Sequence, residues 1–183
     1  MPDAPAPLST SAGLFAGSAA PRLDLATARG QVLVRPVSPL DADRVDAFVA
    51  GLSAASRFRR FNTGVHRLSP SQLAAIVDVD HRGRETLVGV AGRRVVGLVQ
   101  SIELPADPTA VDIAVVVDDA WQGHGLGRLL LQAIAAAAQA TGHGTALVMV
   151  QADNGAVLHL IRSSGLPTAS QRQGASVDIT IQL

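Results

Sequence analysis

Between Val115 and Arg128 the chain reads Val-Val-Val-Asp-Asp-Ala-Trp-Gln-Gly-His-Gly-Leu-Gly-Arg. An apolar run ends, a glycine-rich turn follows, and an apolar helix begins at once. That order gathers unbonded backbone N–H groups and the positive end of a helix dipole at one place, which binds phosphate without needing a lysine. On spacing alone, Gly123-x-Gly125-x-Gly127 fits a phosphate-bearing ligand or a tight strand-to-helix turn. A Rossmann loop would follow the first strand and precede an acidic residue about twenty positions on, whereas four expected strands precede this one. A Walker loop needs Gly-Lys-Ser/Thr, which is missing.

Other side chains bear on the same site. Arg57, Arg59 and Arg60 suit either ligand phosphates, an acidic flank on a substrate, or a solvated basic face. His124 lies among the loop residues, as a partial positive charge or a solvated turn residue. His143 and His159 are scattered from it and show no metal spacing, so no metal is expected. Asp118 and Asp119 read as turn residues, and Trp121 as packing that pins the loop.

The elements that must position these groups follow from periodicity and caps. Residues 1–30, rich in Ala, Pro, Ser and Gly, read as a disordered tail with a short helical piece near 23–28. The folded domain is expected over 31–183. A strand covers 31–37 and is ended by Pro36. A helix from Leu40 or Asp41 carries Val45, Phe48, Val49 and Leu52 on one stripe. Residues 53–64 show no clear period. Ser69 caps a second helix, with Pro70 in its first turn and Leu73, Ile76 and Val77 inward. Strands at 86–90 and 95–103 form a hairpin, and 111–117 is the fourth strand. A long helix spans 125–141, stopped by Gly142. A strand at 146–151, a helix at 156–163 and a strand at 177–181 complete a β-α-α-β-β-β-α-β-α-β order. That is an α+β pattern with a mixed sheet and a βαβ crossover at the glycine loop.

Composition sets the outer bounds. The 183 residues hold one domain with enough length for a core, and 48% of them are apolar although aromatics make up 3% and Tyr is absent. Fifteen basic residues balance fifteen acidic ones, so no net field draws the protein to nucleic acid or anionic lipid. The absence of Cys excludes disulfides, thiolate metal sites and cysteine nucleophiles. No stretch is apolar for long enough to span a bilayer, and no signal peptide is read at the N-terminus. The expected location is the cytoplasm.

The spacing Gln122-x-x-Gly125-x-Gly127 resembles the acyl-CoA pyrophosphate loop of the GNAT superfamily of N-acetyltransferases, and the likeness runs from about 32 to 183. The resemblance implies a mixed, mostly antiparallel central sheet flanked by helices, with a βαβ acyl-CoA-binding unit. It implies that the backbone of Gln122, Gly123, His124, Gly125, Leu126, Gly127 and Arg128 holds the pyrophosphate. It further implies that the preceding strand splays from its neighbour and offers Val115 and Val117 to the pantetheine arm. The Val115 N–H would then face the thioester oxygen and stabilise the negative charge developing there. Residues 151–166 resemble the family's last motif, in which Asn154 either bonds the cofactor arm or caps the following helix. Leu166 stands where a Phe is usual.

Residues 52–61, 67–73 and 78–80 are similar to the GNAT domain of bacterial protein lysine acetyltransferases, some of which carry fused nucleotide-sensing or ligase-like domains. That branch places a Glu where this chain has Asp112. The resemblance therefore implies Asp112, directly or through a water, as the base that deprotonates an ammonium; a solvated strand-edge carboxylate is the bland alternative. Many relatives use a Tyr as the acid for the leaving thiolate, and this chain has none. The expected activity is transfer of an acetyl group from acetyl-CoA to a primary amine, a protein lysine in first place. A small-molecule amine, or a CoA-binding sensor without turnover, is the alternative. The acceptor pocket is expected between 53–64 and 104–110, and a homodimer through sheet edges is an expectation of the resemblance only.

Overall fold

The computed structural model describes residues 18–61 and 66–183. Eight strands form one sheet in the order β1-β2-β3-β4-β5-β6-β8-β7. They are β1 (Leu23–Thr27), β2 (Gly30–Pro36), β3 (Arg84–Ala91), β4 (Arg94–Leu104), β5 (Asp107–Val117), β6 (Thr145–Gln151), β7 (Thr168–Gln173) and β8 (Ser176–Gln182). Every neighbouring pair is antiparallel except β5 and β6. Five helices cover the two faces: α1 (Ala42–Gly51), α2 (Ala54–Phe61), α3 (Pro70–Val77), α4 (Leu126–Ala140) and α5 (Gly155–Arg162). This is the mixed α+β architecture expected from the sequence, and β5-α4-β6 is its parallel crossover.

Each face has its own apolar core. On one side Val45, Phe48 and Val49 of α1 and Ile76 and Val77 of α3 pack on Val88, Leu98 and Val116. On the other, Leu129, Leu130, Ala133, Ile134 and Ala137 of α4 lie on Val99, Val111, Ile113 and Val148. The α4 contact is unusually close because Gly89 and Gly97 carry no side chain. A Cβ at Gly97 would stand 2.8 Å from Leu130 Cδ1 and 3.1 Å from Leu126 Cδ2.

Three local expectations need correction. The tail does not extend to residue 30: Leu23–Thr27 is strand, not helix, pairing with β2 from Leu23↔Val34 to Thr27↔Gly30. Leu23 and Leu25, two apart, both turn toward the α4-side core. Expected disorder at 1–17 lies outside the described residues. The segment after Leu52 is helical over Ala54–Phe61. Its buried residue is polar: Arg57 donates to the carbonyls of Ala50 (3.2 Å) and Leu52 and pairs with His66 Nδ1 (3.3 Å). Ala54, Phe58 and Phe61 do recur at helical spacing, but the stripe is short and broken by the basic residues between them. Finally, 107–110 is strand rather than loop, since β4 and β5 stay paired as far as Leu104↔Asp107.

Candidate active site

Strands β5 and β6 share only three rungs, Ala110↔Thr145, Val111↔Ala146 and Asp112↔Leu147. Past Asp112 they diverge, and β5 continues to Val117 paired only with β4. The direction of its polar groups follows from two flanking bonds. Asp118 donates its N–H toward β4, to Val96 O at 2.9 Å, whereas Val117 O accepts from Gln122 Nε2 at 3.0 Å. Backbone groups alternate sides along a strand. Ile113, Val115 and Val117 therefore turn their N–H and C=O groups into the gap.

The glycine loop closes one end of this gap. Gly123 and Gly125 take φ of 76° and 85°, the left-handed region where a side chain is strained. Gly125 is the N-cap of α4 and offers no side-chain acceptor. By contrast, α3 and α5 are capped by Ser69 and Asn154. The first-turn amides of a 15-residue helix are thus left for a ligand, with the dipole behind them. Trp121 packs against the α4-side core and holds the turn before the loop.

A single cavity of about 970 Å³ joins these parts. Asp112, Val115, Val117, Gln122, Gly123, Gly125, Gly127, Arg128 and Asn154 all line it. Two expected residues do not. The Leu126 side chain is fully buried beneath the sheet, against the positions of Gly89 and Gly97. His124 contributes no side chain to the wall. For both, only the backbone is left to meet a ligand. Asn154 Oδ1 accepts from Val157 N–H at 3.3 Å, so the cap reading holds in the geometry, and the residue still borders the cavity. Nothing from 104–110 reaches it, because that segment is the β4–β5 hairpin at the opposite end of β5.

Asp112 lies five residues before Val117, about 17 Å along an extended strand. Its side chain shares the α1–α3 face with Val116 by alternation. It is exposed toward the cavity, yet desolvation raises its pKa above the ordinary carboxylate value, while the nearby Arg60 charge opposes the rise. Ser56, Arg59 and Arg60 of α2 line this end. Helix α2 is clamped there by Asp119, whose carboxylate accepts from Ser53 N–H (3.0 Å), Ser53 Oγ (2.8 Å) and Ser56 Oγ (2.8 Å). Asp119 was expected to be a simple turn residue; it ties α2 to the turn that leads into the glycine loop. Arg57 plays no part in the cavity, being committed to backbone carbonyls.

The acetyltransferase (GNAT) family model matches residues 49–166, and the chain belongs to that family. Among solved structures, the GNAT domain of S. lividans PAT is 25% identical, with a TM-score of 0.80 over 88% of this chain and 97% of that one. The structure of yncA from Salmonella typhimurium with its cofactor acetyl-CoA is 20% identical, with a TM-score of 0.70 over 83% and 94%. A GNAT-family acetyltransferase from Streptococcus pneumoniae is 23% identical, with a TM-score of 0.64 over 83% and 99%.

Proposed function

We propose that the protein transfers the acetyl group of acetyl-CoA to a primary amine, with a lysine side chain of a protein as the preferred acceptor. The observation that carries this reading is the continuity of one cavity from the uncapped start of α4, along the unpaired edge of β5, to Asp112. The residues fit an acyl-CoA: free amides for phosphates at one end, strand amides for an extended arm, and a carboxylate at the other.

When bound, acetyl-CoA supplies a thioester carbon open to attack. Gln122, Gly123, His124, Gly125, Leu126, Gly127 and Arg128 hold the pyrophosphate through backbone N–H groups, and Gln122 also fixes the Val117 carbonyl. Val115 and Val117 hydrogen-bond the arm, and Asn154 borders it from the start of α5. Asp112, directly or through a water, takes a proton from the acceptor ammonium. The freed amine forms its bond to the acetyl carbon while the Val115 N–H stabilises the charge growing on the carbonyl oxygen. The carbon–sulfur bond then breaks, the nitrogen sheds its second proton to water, and with no Tyr in the chain the departing thiolate takes a proton from water.

The open face beside Asp112 supports a macromolecular acceptor. Leu147, opposite Asp112 on the last shared rung, is 38% exposed, and Met149 on the same face is 75% exposed. A lysine held on a protein surface can reach an acid so placed. The likeness to the S. lividans PAT GNAT domain supports the same choice.

The test is calorimetric titration with acetyl-CoA, followed by a free-thiol assay with lysine peptides and with small amines. Binding together with thiol release on peptides is the expected result. Release on small amines alone would replace the acceptor, and binding without release on any amine would leave a CoA-binding module. Absence of binding would overturn the reading.

A further inference from the structure

Arg35, Arg57 and Arg60 are all drawn in from solvent, and the first two are employed within the fold. Arg35 makes a two-pronged pair with Asp41, at 2.7 and 2.8 Å, and donates to Pro36 O. Arg57 is spent on carbonyls and His66. Arg60 differs. Its one hydrogen bond among the described residues goes to a neutral group, Gln100 Oε1, and its Nε is buried with no partner. Its guanidinium also lies 4.9 Å from the Phe61 ring centroid. Burial lowers the Arg60 pKa to about 10, with Asp112 acting in the opposite sense.

The group holding it is itself fixed. Gln100 Nε2 donates to Thr86 Oγ1 (3.1 Å) and Ala75 O (3.4 Å), which turns Oε1 toward Arg60. Arg60 and Asp112 both border the cavity, and each feels the other's charge, yet they form no ion pair among the described residues. A carboxylate and a guanidinium thus stand side by side, unpaired, at the acceptor end. The arrangement complements a molecule carrying an ammonium and a carboxylate at similar spacing. Phosphates at the glycine loop are too distant to be its partner. Gln100 sits across from Ala114, so the strand alone puts Val117 about 10 Å further on, with the loop beyond it.

Building on the acetyltransferase reading, we infer that Arg60, held by Gln100, is a specificity-determining residue that binds a carboxylate of the acceptor while Asp112 meets its amine. The favoured source is an acidic residue beside the acceptor lysine; the α-carboxylate of a free amino acid carries the same chemistry.

The experiment compares kcat/KM for two acceptor pairs with the full chain: a lysine peptide flanked by Glu against the same peptide flanked by Gln, and free lysine against lysine amide. For the wild type, the carboxylate-bearing member of one pair should lead by roughly 10- to 150-fold, the range for hydrogen bonds to charged groups. The pair that shows the lead identifies the source. In Arg60→Gln that ratio should fall to near one, and Arg60→Lys should restore part of it. A wild-type ratio near one in both pairs overturns the inference without needing any variant, as does a lead that survives Arg60→Gln. Transfer to no acceptor, despite acetyl-CoA binding, would instead sink the underlying transferase reading.

Discussion

Asp112 and Leu147 face each other across the last rung that β5 and β6 share, and beyond this pair the sheet opens. The proposed base is therefore anchored by a regular ladder on one side and borders the cavity on the other. Its strand is held rigid by β4 throughout, from Ile102↔Asp112 to Gly97↔Val117. A base on such a strand is positioned by backbone pairing rather than by a mobile loop.

Asp112→Asn should lower turnover about 10²- to 10⁴-fold, the usual contribution of a general base, while leaving acetyl-CoA affinity within a factor of about two. Steady-state rates and calorimetry on one preparation check both parts. Unchanged turnover would remove Asp112 from the mechanism.

The pH profile gives an independent reading. A base must be deprotonated to act, and burial raises the Asp112 pKa while Arg60 restrains it. Activity should thus fall on the acid side at a pH above the ordinary carboxylate range. In Arg60→Gln the restraint is gone, and that acid limb should move to higher pH. A shift to lower pH would contradict the electrostatics described.

Gly125→Glu should abolish acetyl-CoA binding. An added Cβ there meets no protein atom within 4 Å, so the substitution acts on whatever occupies the cavity. The φ of 85° adds about 1–2 kcal/mol of backbone strain for any side chain. Gly125→Ala separates the two effects, since it carries the strain without the charge. Normal calorimetric affinity in the Glu variant would refute the loop assignment.

Gly97→Ala should destabilise the fold by about 1–3 kcal/mol, because the new methyl group overpacks Leu126 and Leu130. Leu126 is the first residue of α4, so displacement should also weaken acetyl-CoA binding, although Gly97 itself lies in β4, outside the cavity wall. Thermal denaturation with and without acetyl-CoA would register both.

Asp41→Asn tests the support beneath α1. The carboxylate is almost fully buried and accepts from Arg35, Arg44 and Ser38 N–H. Although burial alone would raise its pKa, these donors bring it below the usual value. A depressed folded-state pKa means stability that is present above the unfolded value and lost as pH falls through the folded one. The variant should lose about 3 kcal/mol near neutrality, and the deficit against wild type should shrink in acid. Urea denaturation at pH 7 and pH 3 would measure it.

Much of this was readable in the chain because apolar periodicity, capping residues and glycine spacing each left a local mark. The glycine loop, the Ser69 cap and the long α4 are examples. Three elements left little. Strand β7 is exposed along its whole length, so no alternation betrays it; only its pairing with β8 makes it a strand. Strand β1 hides in a composition typical of tails, although Leu23 and Leu25 are two apart. Helix α2 does carry Ala54, Phe58 and Phe61 at helical spacing, but it is eight residues long and turns Arg57 inward. At the site, Gln100 and Thr86 were visible only as polar residues interrupting apolar strands, and their link to Arg60 depends on partners far apart in sequence.

The parting of β5 from β6 creates an edge inside a sheet that otherwise has none between its outermost strands. Exposed edges invite a further strand. An extended arm laid along Ile113, Val115 and Val117 would take the place of that missing neighbour and complete the ladder. Amide hydrogen exchange at Val115 and Val117 would then serve as an internal gauge of occupancy, slowing when the gap is filled and quickening when it empties.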